Sequence, residues 1–455
     1  MDRSYMLMAV FWLPLENLLT NKFMTMRFKK YITSVFILSS AVLISACTAM
    51  QEDFTLTNNS EIDRSNEPIV LSRDAIIDKT GGIQITEGQL PLPVVGDQPL
   101  PAQVDDIDGD GEWDELAFTI NIAAGESKTV SIEYVNPGDY PEFTQRTNVR
   151  FGVVGDNGIE ALKTLSIPGE ELPVPLFTRF QMDGPAWEND KVGFRQYIDG
   201  RNGRDLYGKT LSTMALDTVG ISDENMPVDD YHVMLPWGRD ILAVGNSLGL
   251  GGIGIIENNN PVRLGVRLDA EQSNVGMTSY NLITEGPVRS VFSIHYEDWD
   301  TGENSYNLEN TVTIWAGSYS YRNDISLSST NVADTLAIGV VNIHNDEQPV
   351  LLNKDDNPLS AFYTHDKQTY DDEWYLGMGI IFPSMHYLSY TEAPESGPGI
   401  TTSYLNLFEL VDQKSLSYHV VAGWELSDER FADAEYFRSF MEEEVQKISS
   451  PITVE

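Results

Sequence analysis

The sequence is poorest in the groups that reactive and metal-binding sites most often use. Of 455 residues, one is cysteine and six are histidine. A single cysteine, Cys47, rules out a disulfide framework and a cysteine-based metal cluster. Positive charge is also scarce: 29 Lys and Arg stand against 69 Asp and Glu, a formal net charge of −40. Such a surface repels nucleic acid and anionic lipid, so neither is an expected partner. There is no HExxH and no GxGxxG following a strand; GxSxG occurs once, as Gly245-Asn246-Ser247-Leu248-Gly249, with no helix expected after it. These absences disfavour a zinc protease, an α/β-hydrolase and a nucleotide cofactor. With 41% hydrophobic and 10% aromatic residues, the chain can still build a substantial core.

Cys47 is explained by its surroundings. Arg27, Lys29 and Lys30 precede an apolar run from Ile32 to Ile44, which ends in Ser45-Ala46-Cys47. A basic start, an apolar stretch and small residues at the cut describe a secretory signal. Ile44 to Cys47 resembles the lipobox of bacterial lipoproteins, in which the cysteine is lipidated. Residues 1–47 are therefore expected to be a leader, with Met26 the better start. The mature chain is expected in the outer membrane, on its periplasmic or cell-surface face, touching the membrane only through its lipid.

Residues 48–66 are polar and read as a tether. From Pro68 to Tyr134, short apolar segments alternate with turns, which predicts a small β-domain over 67–140. The same texture continues on a larger scale, for example "RSVFSIHYEDW" and "SLSYHVVAGWEL". The chain is thus expected to be all-β, with a large antiparallel sandwich over 145–450 as its catalytic domain. One helix is expected near the end, capped by Ser427, with Phe431, Ala434, Phe437, Met441 and Val445 on its apolar stripe.

Three segments could carry chemistry. In "DDIDGDGEWDEL", Asp106, Asp108, Asp110 and Asp114 place oxygens at a spacing that suits a hard cation. Ala117 occupies the position where an EF-hand needs its glutamate, so the choice is between a shorter structural calcium loop and a metal-free acidic turn. The second segment, "WENDKVGFRQYIDGRNGRDLYGK", concentrates Lys191, Arg195, Arg201, Arg204 and Lys209 among Trp187, Tyr197 and Tyr207. Read as a strand, it puts Val192, Phe194, Gln196 and Ile198 on one face and Lys191, Arg195, Tyr197 and Asp199 on the other. The second face could line a groove for an anionic sugar, or its cations could balance Glu188, Asp190, Asp199 and Asp205. In the third segment, Tyr231 and His232 precede a Pro-Trp-Gly turn containing Trp237, then Arg239 and Asp240. Of the six histidines, His232 has the most polar and aromatic surroundings. His344, just before "NDE", is the next best placed.

Together "LPAQVDDIDGDGEWDEL", "GPAWENDKVGFRQYIDGRNGRDLYGK", "YHVMLPWGRDILAVGNSLGLGG" and "VVAGWELSDE" resemble a family of secreted lipoproteins from polysaccharide-degrading Gram-negative bacteria, known as a domain of unknown function. The likeness spans about residues 68 to 445. The family includes an oligosaccharide dehydratase of ulvan breakdown. The resemblance implies a lyase/mutarotase-like super-sandwich and a hydro-lyase that removes water from a terminal uronic acid, leaving a C4=C5 double bond. No cofactor is required for that chemistry; a calcium in the Asp-rich turn would be structural. The partner would be a sulfated, uronate-containing oligosaccharide. Chemistry then suggests roles: His232 as base, Arg195 or Arg204 as carboxylate clamp, and Tyr197, Tyr207 or Tyr231 as acid. Lys209 and Arg239 would hold further anionic groups, and Trp187 and Trp237 would stack on sugar rings. A chain-cleaving lyase, a glycan-binding lipoprotein and a carboxylate-pair hydrolase are the alternatives.

Overall fold

The computed structural model describes residues 52–79, 88–172, 178–267, 270–329, 335–353, 357–409 and 415–455. The leader, Met26 and Cys47 lie outside them. Among the described residues no helix is long and apolar enough to cross a membrane.

Alternating sequence gives alternating burial. Ser305–Trp315 buries every second residue, from Tyr306 to Ile314. It lies in a nine-stranded antiparallel sheet, in the order Thr164–Pro168, Met277–Glu285, Arg289–Asp300, Ser305–Trp315, Ser320–Ser329, Ser415–Trp424, Leu376–Pro383, Leu359–Asp366 and Val350–Leu352. Two five-stranded sheets cover one face of it. One runs Gly238–Asp240, Arg204–Lys209, Val192–Gln196, Ala186–Asn189 and Thr147–Arg150, and the other centres on Leu250–Glu257, Thr335–Val341 and Ser403–Glu409. A parallel bridge between Arg204 and Gly249 joins the two. One apolar core, including Trp187, Phe194, Phe292, Ile338 and Val420, draws from all three sheets. The all-β, super-sandwich expectation is met.

Residues 52–66 are not a tether. Glu52–Thr57 and Arg64–Ser72 are strands, because Phe54 and Leu56 alternate into the core of the smaller β-unit. Thr453–Val454 pairs with Glu52–Thr57, so both ends of the described chain share one sheet. Gln103 and Asp105 dock this unit on the sandwich. The Gln103 side-chain carbonyl accepts from the Val288 and Arg289 amides at 3.1 and 2.9 Å, and Asp105 pairs with Arg289.

The C-terminal helix, Ala434–Ser449, starts later than expected. Its cap is Asp433, whose carboxylate accepts from the Glu435 and Tyr436 amides. Ser427 instead donates to the Lys209 carbonyl at 2.7 Å. Phe431 lies in the preceding 3-10 turn, Glu429–Ala432. Phe431 and Phe437 sit on the outer face of the nine-stranded sheet, where Gly377 and Gly423 are cross-strand partners. A Cβ at either glycine would come within 3.0 Å of one of these rings. At the other end, buried Arg64 donates to the Lys447 and Ser450 carbonyls at 3.1 and 2.6 Å, capping the helix with a cation.

His419 is on the nine-stranded sheet, and burial pushes its imidazole down to about 4. It is neutral when folded, so the unfolded chain binds more protons below the ordinary value of about 6.5. Stability should fall as pH drops from there towards 4. The melting temperature of His419→Gln is expected to fall less than that of the wild type across this window. Parallel curves would contradict that origin.

Candidate active site

The basic segment forms three neighbouring strands, with Trp187 opposite Phe194 and Arg195 opposite Asp205. The expected faces are correct, but neither is open. The inner face packs on the nine-stranded sheet: Trp187 lies against Phe292 and Tyr321, with ring centroids 5.1 Å away in each case. Trp187 is therefore core, not a sugar platform. Arg204 is also turned inward. It donates to Gln196 at 3.0 Å, Tyr321 at 2.7 Å, and Asn310 and Asn323 at 2.8 and 3.1 Å. Spent on these buried acceptors, it is not placed to clamp a substrate carboxylate.

The outer face is roofed by the segment after Lys209. Tyr207, Ala215, Leu216, Val219 and Tyr231 form a small core there, with Trp237 half-buried at its edge. Tyr207 is fully buried. Lys209 is buried against Glu188 and donates to the Asn189 carbonyl at 2.7 Å. Burial lowers its pKa. Neither residue is placed to meet a ligand. The segment's cations do balance its own carboxylates, as Arg201 with Asp199 and Lys209 with Glu188 show.

Arg195 is the centre of the outer face. Its guanidinium pairs with Asp205, with Asp240 at 2.9 Å and with Asp183 at 3.4 Å. It donates to the Tyr197 and Tyr231 hydroxyls at 2.7 and 2.9 Å. The Tyr197 hydroxyl donates onward to Asp205 at 2.7 Å. The rings of Tyr197, Tyr207 and Tyr231 lie 4.4, 5.2 and 5.3 Å from the guanidinium carbon. Burial, then the Asp205 charge, push Asp240 well above the ordinary carboxyl range. Burial also keeps Tyr197 and Tyr231 as neutral phenols. Apart from half-buried Asp183, the cluster is enclosed: Arg195 is 0% exposed and Tyr197, its most accessible tyrosine, 8%.

Solvent meets this cluster through His232, whose side chain is 37% exposed. Its Nδ1 lies 3.3 Å from Asp240, within ion-pair distance but without hydrogen-bond alignment. Its Nε2 lies 2.7 Å from exposed Asp229. A loop not singled out from the sequence, 369–374, completes the surface. The exposed Tyr370 ring is 5.7 Å from His232, Asp371 is 3.6 Å from Arg239, and Asp372 is 2.7 Å from His344. The Tyr370 amide donates to the Ile241 carbonyl, holding the loop beside Arg239 and Asp240. Burial and the Asp240 charge raise the Tyr370 phenol. Three successive side chains thus each meet one basic group, of which Arg239 is itself largely buried. The sequence signal available was the aromatic and acidic run "TYDDEW".

The Asp-rich turn stands apart from this cluster in sequence. Asp106, Asp108 and Asp114 bring carboxylate oxygens within 4.8 Å of one another; Asp110 is not in that group. Asp110 accepts instead from the Glu112 amide at 2.8 Å.

A family model described as "Domain of unknown function (DUF4861)" matches residues 56–454. "Uncharacterized protein P7" of Formosa agariphila is 23% identical over 444 residues, covering 93% of this chain and 99% of its own. Among solved structures, the chain is similar to an alpha-mannosidase from Enterococcus faecalis V583, with a TM-score of 0.47 at 9% identity, over 89% of this chain and 46% of that one. It thus spans about half the length of that protein. A putative aldose 1-epimerase from Klebsiella pneumoniae gives a TM-score of 0.29 at 8% identity, over 66% of this chain and 96% of its own.

Because Arg204 is structural, Arg204→Ala should act on stability. It strands Asn310, Asn323 and Gln196 acceptors in the core, at a cost of about 3 kcal/mol or more. Chemical denaturation is expected to show that loss. An unchanged midpoint would return Arg204 to the list of accessible groups.

Proposed function

The chain belongs to the DUF4861 family, and for its site we propose a carbohydrate-active hydro-lyase that removes water from a terminal uronic acid of a sulfated, ulvan-type oligosaccharide. The observation that carries this reading is the convergence of an exposed imidazole and phenol, His232 and Tyr370, with the largely buried guanidinium of Arg239, which faces exposed Asp371, above a buried charge cluster.

Arg239 leaves the weak contact with exposed Asp371 and pairs with the substrate carboxylate, which makes the C5 proton more acidic. His232 carries its own proton on Nδ1, towards Asp240, and takes the C5 proton on Nε2 once the substrate displaces Asp229. The Tyr370 phenol gives its proton to the departing 4-hydroxyl. The C5–H and C4–O bonds break, the C4=C5 bond forms and water leaves. Tyr197 and Tyr231, the acids expected from sequence, act instead through Arg195, holding the floor beneath His232. Trp237, half-buried at the roof edge, is the remaining aromatic candidate for a sugar contact.

His232→Ala is expected to lower kcat by roughly 10²–10⁴-fold, and Tyr370→Phe to lower it with little change in KM. Mass spectrometry of wild-type products should show loss of one water with no shortening. Shortened chains would make the protein a lyase that cleaves glycans. Full activity of His232→Ala would overturn the assignment.

The same reading places the mature chain outside the inner membrane, tethered through a lipid on Cys47. It also gives Asp106, Asp108 and Asp114 a structural calcium, since the amides of Gly109, Asp110 and Ile107 respectively already orient these carboxylates. Calcium is expected to raise the melting temperature and Asp108→Asn to abolish that rise, with products unchanged. Identical melting with calcium and with chelator would remove calcium from the account.

A further inference from the structure

A cavity of about 500 Å³ lies where Thr147–Arg150, an edge strand, meets the end of Met277–Glu285 in the facing sheet. The volume falls within the roughly 300–1,000 Å³ typical of small-molecule sites. Two cations line it; both act on the Glu285 carboxyl at longer range, and neither forms an ion pair among the described residues. Arg150 uses only Nε, donating to Gln181 at 2.8 Å. Gln181 is fully buried and is itself fixed by donating to the Leu216 and Val219 carbonyls at 2.9 and 2.7 Å. The outer nitrogens of Arg150 are thus oriented and have no partner among the described residues. Lys163 is exposed and, among the described residues, has no carboxylate in ion-pair contact. Both therefore keep N–H groups available to a ligand in the cavity.

The remaining lining narrows the ligand. Glu285 and Asp217 bring carboxylates, Asn148 an amide, and Leu282 and Met214 apolar surface. A site for a simple anion would gain nothing from two carboxylates. A sugar acid needs all of these: a cationic fork for its carboxylate, acceptors for its ring hydroxyls and an apolar wall for its C–H face. We propose that this cavity binds a small acidic sugar, with Arg150 and Lys163 holding its carboxylate, at a place other than the His232 surface. The proposal does not depend on catalysis at His232.

Glucuronate is the probe, with the mature chain carrying Arg239→Gln so that the carboxylate clamp of the His232 surface is absent. Calorimetric titration is expected to show binding in this background. Adding Arg150→Gln, or separately Lys163→Gln on the exposed surface, should weaken it by about tenfold or more, and glucose should bind at least about tenfold more weakly than glucuronate. Unaltered affinity in both added variants, equal affinity for glucose, or no binding in the Arg239→Gln background would each overturn it. Failure of the dehydratase reading would appear separately, as absent product, and would leave this titration unchanged.

Discussion

The burial of Arg195 is the constraint on which the rest of the site depends. Taking one guanidinium out of water costs on the order of several kcal/mol unless its hydrogens and charge are met inside. Here they are met by Asp205, Asp240, Asp183 and two tyrosine hydroxyls. One cation cannot balance two enclosed carboxylates equally, so Asp240 is driven towards its protonated form. That carboxyl is the one facing His232. His232 is the imidazole that lies against this buried cluster.

That arrangement needs a roof and a floor. The floor is the apolar face of the same strands, locked to the nine-stranded sheet by Trp187, Phe194 and the Arg204 hydrogen bonds. The roof is the segment from Ala215 to Trp237, tied down where Glu188 accepts from the Ala215 and Leu216 amides at 2.6 and 2.8 Å. Glu188 in turn holds Lys209. The buried ion pairs thus fix two layers of backbone, and the accessible groups project from a rigid support.

Much of this was legible in the sequence. Period-two alternation placed Phe194 and Arg195 on opposite faces, and the aromatic-rich strands announced a sandwich. Alternation says which residues share a face, however, and not what covers it. The roof segment has no regular period, so the cations beneath it read as surface. Residues 52–66 read as a tether because their polar residues outnumber Phe54 and Leu56, the two that enter the core. Ser427 and Asp433 are both good helix caps by type, and only packing of Phe431 and Phe437 over Gly377 and Gly423 selects Asp433. Loop 369–374 was missed because its partners, His232, Arg239 and His344, are distant in sequence. His232 was found because its neighbours in sequence are also its neighbours in space.

The central claim is that a C5 proton is removed at the His232 surface. It is tested most directly by comparing a terminal uronate carrying deuterium at C5 with its unlabelled counterpart. A slower appearance of the unsaturated sugar from the deuterated substrate, with chain length unchanged, is the expected result. Equal rates with chain cleavage at an intact uronate would contradict it.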